Sequence, residues 1–232
     1  MRGKPEQYGY LPDGEVVRAE AVADQPVSAQ TAEVDIGARQ ALTSRTFLHI
    51  ALAFMCSGFI VTSVLTHVMP YLDSIDIART TSGLLATIVP LASIPGRLGF
   101  GWMGDRLNKK MTAALGFVLL SVGLLFFGFA PVGGSWFLVL SLILIGVGYG
   151  ANVIVTPALV GEYFGRTRFG TVLGFVIGAI TVGTMVGPIV AGWAFDTWGS
   201  YQGVWFAYSA LAIAAVVMVA GTPPVGNVIR PA

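Results

Sequence analysis

Few side chains in this sequence can do chemistry, and they are widely spaced. Arg97 is the one charge between Thr80 and Gly104. It stands eight residues before Asp105, about 12 Å along a helix. A guanidinium there can grip a carboxylate through two parallel hydrogen bonds; its long stem equally lets it snorkel to lipid headgroups, and the sequence leaves both open. Tyr149 and Asn152, three residues apart, share a helix face, with Thr156 one turn on. They can hydrogen-bond a polar solute or bridge helices, the commoner fate of a lone membrane asparagine. His67 follows Thr62 and Thr66 and can carry a proton, since a free imidazole titrates at about 6.5. Its position near the end of an apolar run also suits an interfacial histidine without such a role. No catalytic constellation forms: there is no phosphate-cradling glycine loop, no Cys/His cluster with metal spacing and no serine on a nucleophile turn. The expectation is a protein that is not an enzyme, with no catalytic residue, metal or cofactor.

Composition explains why these groups are so sparse. Only 11% of the 232 residues are charged and 55% are hydrophobic, against about 25% charged in ordinary globular chains. So few charges cannot cover a water-exposed surface. The net charge of +1 argues against a nucleic-acid partner. The single Cys56 makes no intramolecular disulfide, so no oxidising compartment is implied.

The elements that must position the polar groups follow from the charge-free runs. A membrane span needs about 20 apolar residues, and the run from Met111 to Gly161 is too long for one; it breaks at Pro131–Ser135. The spans expected are Thr46–Tyr71, Thr80–Met103, Met111–Ala130, Trp136–Val160, Gly170–Ala194 and Tyr201–Ala220. Residues 1–45 carry five Lys/Arg and seven Asp/Glu with little apolar periodicity, and read as a disordered cytoplasmic tail or linker. Residues 46–220 form the membrane unit and 221–232 a second tail. Twelve Lys/Arg fall on the side of the two termini and only Arg79 opposite, which places both termini in the cytoplasm. Trp102, Trp136, Trp193, Trp198, Tyr201 and Trp205 fall near span ends, where interfacial aromatics belong.

Two motifs carry a family resemblance. Gly101-Trp102-Met103-Gly104-Asp105-Arg106-Leu107-Asn108-Lys109-Lys110 makes a short turn that sets the second and third spans as antiparallel neighbours. Asp105 is expected to accept hydrogen bonds from amides at a neighbouring helix N-terminus. The fifth span runs Gly174, Gly183, Gly187-Pro188 and Ala191-Gly192, a small-residue ridge for close helix approach with a proline that permits a bend. The first motif resembles the signature loop of the major facilitator superfamily. Asn108 stands where that family usually has glycine, and asparagine also tolerates a left-handed turn. The second is similar to the superfamily's glycine-proline motif of exchangers. Arg2–Gly14, Gly161–Arg166 and Phe195–Tyr201 look like connections of the oxalate/formate-antiporter and monocarboxylate-transporter group.

The resemblance implies an all-α membrane protein: six transmembrane helices in a 3+3 inverted repeat, the C-terminal half of a twelve-helix carrier. It further implies a multi-pass protein of the cell membrane that moves a small carboxylate, with or without a proton, by symport or exchange. Related monocarboxylate-type carriers place an arginine where Arg97 stands, often with an acid one turn earlier, here Ser93. Oxalate-type relatives use a lysine in the span that here holds none, which weakens a dicarboxylate reading. The first and fourth spans of each half line the family's cavity, and spans three and six are lipid-facing supports. Spans one, two, four and five would present Arg97, Asn152 and the Gly183/Gly187 ridge to an absent N-terminal half or to a second copy. Alone, the chain is expected to insert among membrane lipids without transporting. The rival class is a membrane interaction or receptor-like module that transports nothing.

Overall fold

The computed structural model describes residues 41–165 and 169–223. The expected tail up to residue 40, the Arg166-Thr167-Arg168 stretch and residues 224–232 lie outside the described residues. Among the described residues from Arg45 on, eight helices follow in order: α1 (Arg45–Ser74), α2 (Arg79–Ala86), α3 (Ile88–Arg106), α4 (Lys109–Gly128), α5 (Ala130–Gly133), α6 (Ser135–Phe164), α7 (Phe169–Trp198) and α8 (Gln202–Ala220). Among the described residues, six segments are long and apolar enough to cross a membrane, with Arg79–Arg106 counted as one. The protein is a multi-pass membrane protein.

The spans overrun their charge-free cores, because terminal Arg45, Asp73, Arg106, Lys109, Glu162 and Asp196 are all helical. The second span divides at Thr87, which the sequence reading did not anticipate. Pro90 has no N–H to offer the Ala86 carbonyl, and the chain tightens so that Thr87 N–H bonds Leu84 O at 3.2 Å. Ser44 opens α1 by accepting from Phe47 N–H at 3.1 Å, a helix N-cap. Gly165, at φ +70°, ends α6 in a conformation that favours glycine.

Most partners in space are distant in sequence. α1 packs along α7 and α6 along α3, while α4 lies against α6 and α8, and α8 also meets α1. This pattern is unchanged when the first three spans are exchanged with the last three, as a 3+3 inverted repeat requires. Its register is visible in two contacts. A Cβ on Gly58 of α1 would lie 2.7 Å from Ile180 O of α7. A Cβ on Gly146 of α6 would lie 2.6 Å from Val89 O and 2.7 Å from the Ala92 Cβ of α3. Gly58 to Gly146 and Ala92 to Ile180 are the same step along the chain. So is Ser121 to Ser209, a separation of 88 residues, and those two meet where α4 crosses α8.

The short loop after Arg106 does reverse the chain, but α3 and α4 are not packed neighbours. α6 lies against both, because Gly96, Gly146 and Gly150 line the α3 contact and Gly116, Gly123 and Gly148 the α4 contact. Spans three and six each keep an exposed apolar face (Met111 and Leu115; Ile213 and Val217), as supports facing lipid should.

The Ser121/Ser209 crossing yields a sign-specific test. The two hydroxyls lie 2.8 Å apart, and each hydroxyl also reaches the other residue's carbonyl. Either Ser→Ala change removes the shared hydroxyl–hydroxyl contact and one hydroxyl–carbonyl bond, at about 0.5–1.5 kcal/mol per bond, whereas the double change loses the shared contact only once. A double-mutant cycle on detergent unfolding should therefore show the pair of substitutions costing less than the two singles added.

Candidate functional site

The small residues that bring α1, α6 and α7 together leave a cavity among them of about 210 Å³. Its walls are Phe54, Ser57, Gly58, Val61, Thr62 and Leu65 of α1, Tyr149, Asn152, Val153 and Thr156 of α6, and Ile180 and Thr184 of α7. Asn152 is 3% exposed and donates from Nδ2 to Ser57 Oγ at 3.0 Å, so it does bridge two spans. Its Oδ1 has no partner among the described residues and lies against Gly116, where a Cβ would come within 2.9 Å.

Arg97 is exposed and is not one of the cavity walls, but it lies against Tyr149, which is. Its guanidinium carbon lies 5.9 Å from the centroid of the Tyr149 ring, within cation–π range. The approach depends on glycine: a Cβ on Gly150 would fall on the Ser93 carbonyl and lie 2.9 Å from Arg97 N. Ser93 itself is buried and spends its hydroxyl on Pro90 O at 2.7 Å.

The donors divide into spent and unspent. Thr156 and Thr184 hydroxyls bond backbone carbonyls of their own helices. Among the described residues Thr62, Tyr149 and Arg97 enter no hydrogen bond or ion pair. No carboxylate lines the cavity. Such a site holds hydrogen-bonding groups against apolar walls, with one exposed cation beyond its Tyr149 wall.

Of the residues named by sequence reasoning, Tyr149, Asn152, Thr62 and Thr156 line one cavity, and Arg97 lies outside it against Tyr149. Sequence reasoning missed Ser57 and Thr184. Ser57 shares a helical face with Phe54 and Val61, and Thr184 directly follows Gly183; those spacings were the available signal. His67 is not part of the cavity. Its Nε2 lies 2.9 Å from Pro188 O and its Nδ1 3.1 Å from the Tyr201 hydroxyl.

The two motifs fare differently. Gly183 and Gly187 are buried, and a Cβ on either would strike the carbonyl of Met55 or of Phe59 respectively. The ridge is therefore consumed by α1 within this chain and is not presented to an absent half, and Asn152 is likewise enclosed. Around Gly174 and Gly104 an added Cβ meets nothing within 4 Å, and at Gly101 only Ile154, at 3.6 Å. Asn108 adopts φ −62°, ψ 120°, not a left-handed turn: it caps α4, accepting from Lys110 N–H at 2.9 Å. Asp105 is exposed and accepts no hydrogen bond among the described residues. It lies at the last turn of α3, where the helix dipole disfavours an anion, beside Lys109 and Gly101 at a second cavity. Arg106 stacks over Trp102 at 4.3 Å, Lys109 pairs with Glu162 at 3.1 Å, and Lys110 donates to Thr222 O at 2.6 Å. These ties place the ends of α3, α6 and α8 at one face of the bundle.

The family model described as Major Facilitator Superfamily matches residues 18–230. The chain belongs to the major facilitator superfamily. Among its relatives within the superfamily, monocarboxylate transporter 12 of Xenopus laevis is 27% identical over 158 residues, covering 67% of this chain and 34% of that protein. Protein spinster homolog 1 of Homo sapiens is 28% identical over 195 residues, 83% of this chain and 36% of that protein. The sphingosine-1-phosphate transporter SPNS2 of Danio rerio is 28% identical over 125 residues, 54% and 25% respectively. The chain spans about a third or less of the length of these superfamily relatives.

Proposed function

We propose that this chain is one half of a secondary transporter for a small organic anion, a monocarboxylate, working by alternating access. The observation that carries the reading is the exposed Arg97 guanidinium 5.9 Å from the ring of Tyr149, a residue that also walls a cavity without carboxylates. A carboxylate would sit with its oxygens toward Arg97, Tyr149 and Thr62 and its apolar part toward Phe54, Val61 and Ile180. The solutes in the relatives' names, monocarboxylate and sphingosine-1-phosphate, are both anions, and a cavity of about 210 Å³ suits the smaller. A second six-span unit, from further chain or a second copy, would close the cavity from the other side. Arg106, Lys109 and Lys110 at one face and Arg79 at the other orient the termini toward the cytoplasm of a cell membrane. A gradient of ions or substrate supplies the energy, and no catalysis is involved.

The test is uptake of a radiolabelled monocarboxylate by the complete carrier. A charge-assisted hydrogen bond is worth about 1.5–3 kcal/mol, and each 1.4 kcal/mol is tenfold. Arg97→Ala should therefore cut uptake about 10- to 100-fold in protein that inserts normally. Unchanged uptake removes Arg97 from the site.

A further inference from the structure

A third cavity, of about 290 Å³, lies where α1 gives way to α2. Met69, Pro70 and Asp73 wall it from α1, and Arg79 and Ser82 from α2. The local sequence builds it. α1 ends at Ser74 and α2 opens at Arg79, with Asp76 at φ 61° in the turn between them, and α2 packs back on α1. Ser82, 2% exposed, donates its hydroxyl to Ile77 O at 3.3 Å and so pins α2 to that turn. The two charges are left over. Asp73 and Arg79 are exposed, and among the described residues the ion pair is Lys109 with Glu162, at the other end of the bundle.

Placement relates this cavity to the candidate site. Met69 and Asp73 continue the line of Gly58, Thr62 and Leu65 along α1, at steps of three and four residues, the spacing of one helix face. Gly58, Thr62 and Leu65 wall the Asn152 cavity, so both cavities open on the same face of α1. Asp73 stands eight residues past Leu65, about 12 Å nearer the end of the helix.

Charge gives the cavity its selectivity. Among the described residues, Arg79 is the one cation at this end of the bundle, against Asp73, Asp76 and Asp196. An anion nearing this end is repelled except at Arg79, whose planar fork of donors fits a carboxylate.

We propose that this cavity is an entry vestibule for the anionic solute: Arg79 holds a carboxylate at the mouth, and Asp73 beside it keeps that hold weak enough to pass the solute on toward the Asn152 cavity. A conducting path needs sites that are favourable enough to enter and weak enough to leave, and the unpaired acid beside the base supplies both. The passage inward rests on the carboxylate transport proposed above; the capture of anions at Arg79 does not.

The test therefore has two arms. In the first, the full chain in lipid nanodiscs carries a single thiol in the vestibule, Met69→Cys with Cys56→Ala. It is reacted at low ionic strength with a sulfonate-bearing and a trimethylammonium-bearing methanethiosulfonate. The ratio of the two rates cancels any change in exposure. Arg79→Gln should lower the anionic-to-cationic ratio about fivefold, and Asp73→Asn should raise it about as much. Asp196→Asn, an acid at the same end but outside the cavity, should move it less than Asp73→Asn. All three effects should shrink in 1 M salt, where the screening length is about 3 Å. A ratio that Arg79→Gln leaves unmoved overturns the proposal. Should Met69→Cys fail to fold, Pro70→Cys places the thiol on the same wall.

The second arm is uptake of a radiolabelled monocarboxylate by the complete carrier at low ionic strength. From the Arg79 side, Arg79→Gln should raise KM about threefold and Asp73→Asn should lower it, each with a smaller change in kcat. An unchanged KM in a carrier that Arg97→Ala disables overturns the vestibule and leaves the Arg97 site standing. A carrier that moves no monocarboxylate overturns the transport reading and the passage inward with it, while the thiol ratio still decides whether Arg79 captures anions.

Discussion

Valine at Gly183 or at Gly187 should lower the unfolding midpoint in detergent by about 6–12 °C. At both positions the first added atom lands on a carbonyl of α1, so the obstacle is backbone and no rotamer change relieves it. Overpacking of this kind costs about 1–3 kcal/mol, with the upper end fitting a rigid neighbour. For a chain of this size each kcal/mol moves the midpoint about 2–4 °C. Gly174→Val and Gly178→Val are the controls. They lie on the same helix, where an added Cβ meets nothing within 4 Å, and should shift the midpoint by no more than about 2 °C. Equal losses at Gly174 and Gly183 would show that valine harms α7 intrinsically and that the α1 contact is not what the glycines serve.

The second large effect joins packing to the site. Gly150→Leu forces α3 away from α6 at the level of Ser93 and Arg97, and so moves the guanidinium off Tyr149. Uptake by the complete carrier should fall at least as far as in Arg97→Ala, about 10-fold or more, together with about 3 kcal/mol of stability. Gly104→Leu, with open space around it, should leave the fold unmoved in the same assay. A Gly150→Leu carrier that unfolds at the wild-type midpoint and transports normally would refute the geometry.

The six spans were legible because membrane insertion leaves a signal in every residue: charge-free stretches of the right length, with charges gathered at one face. The packing partners were not. The Gly183/Gly187 ridge announced a close approach, yet nothing in a one-dimensional string says whether its partner is α1 or another half. The same limit explains the α3–α4 error, since a short loop fixes direction while the glycines of α6 decide what lies between. Arg97 and Tyr149 are far apart in sequence and met only through Gly150. Asn108 was misjudged because two of its abilities, left-handed backbone and helix capping, share one residue type, and only the dihedral angles separate them. The break at Thr87 was readable from Pro90, but a proline inside an apolar run is tolerated so often in membrane helices that it carried little weight.

The exchange symmetry of the packing has a consequence for how the chain comes off the ribosome. Apart from α4 and α6, consecutive spans touch little, and the long contacts of α1 are with α7 and α8, roughly the last quarter of the chain. After the third span has emerged, Gly58 still faces lipid in place of Ile180, and Ser121 has no Ser209. α3, α4 and α6 can pack first, but α1 must wait in the bilayer until α7 arrives. Such long-range closure is slow and leaves half-made chains exposed to wrong partners. Nascent chains stalled before residue 170 should therefore remain open to proteases or holding factors, and become resistant only once α7 has entered the membrane.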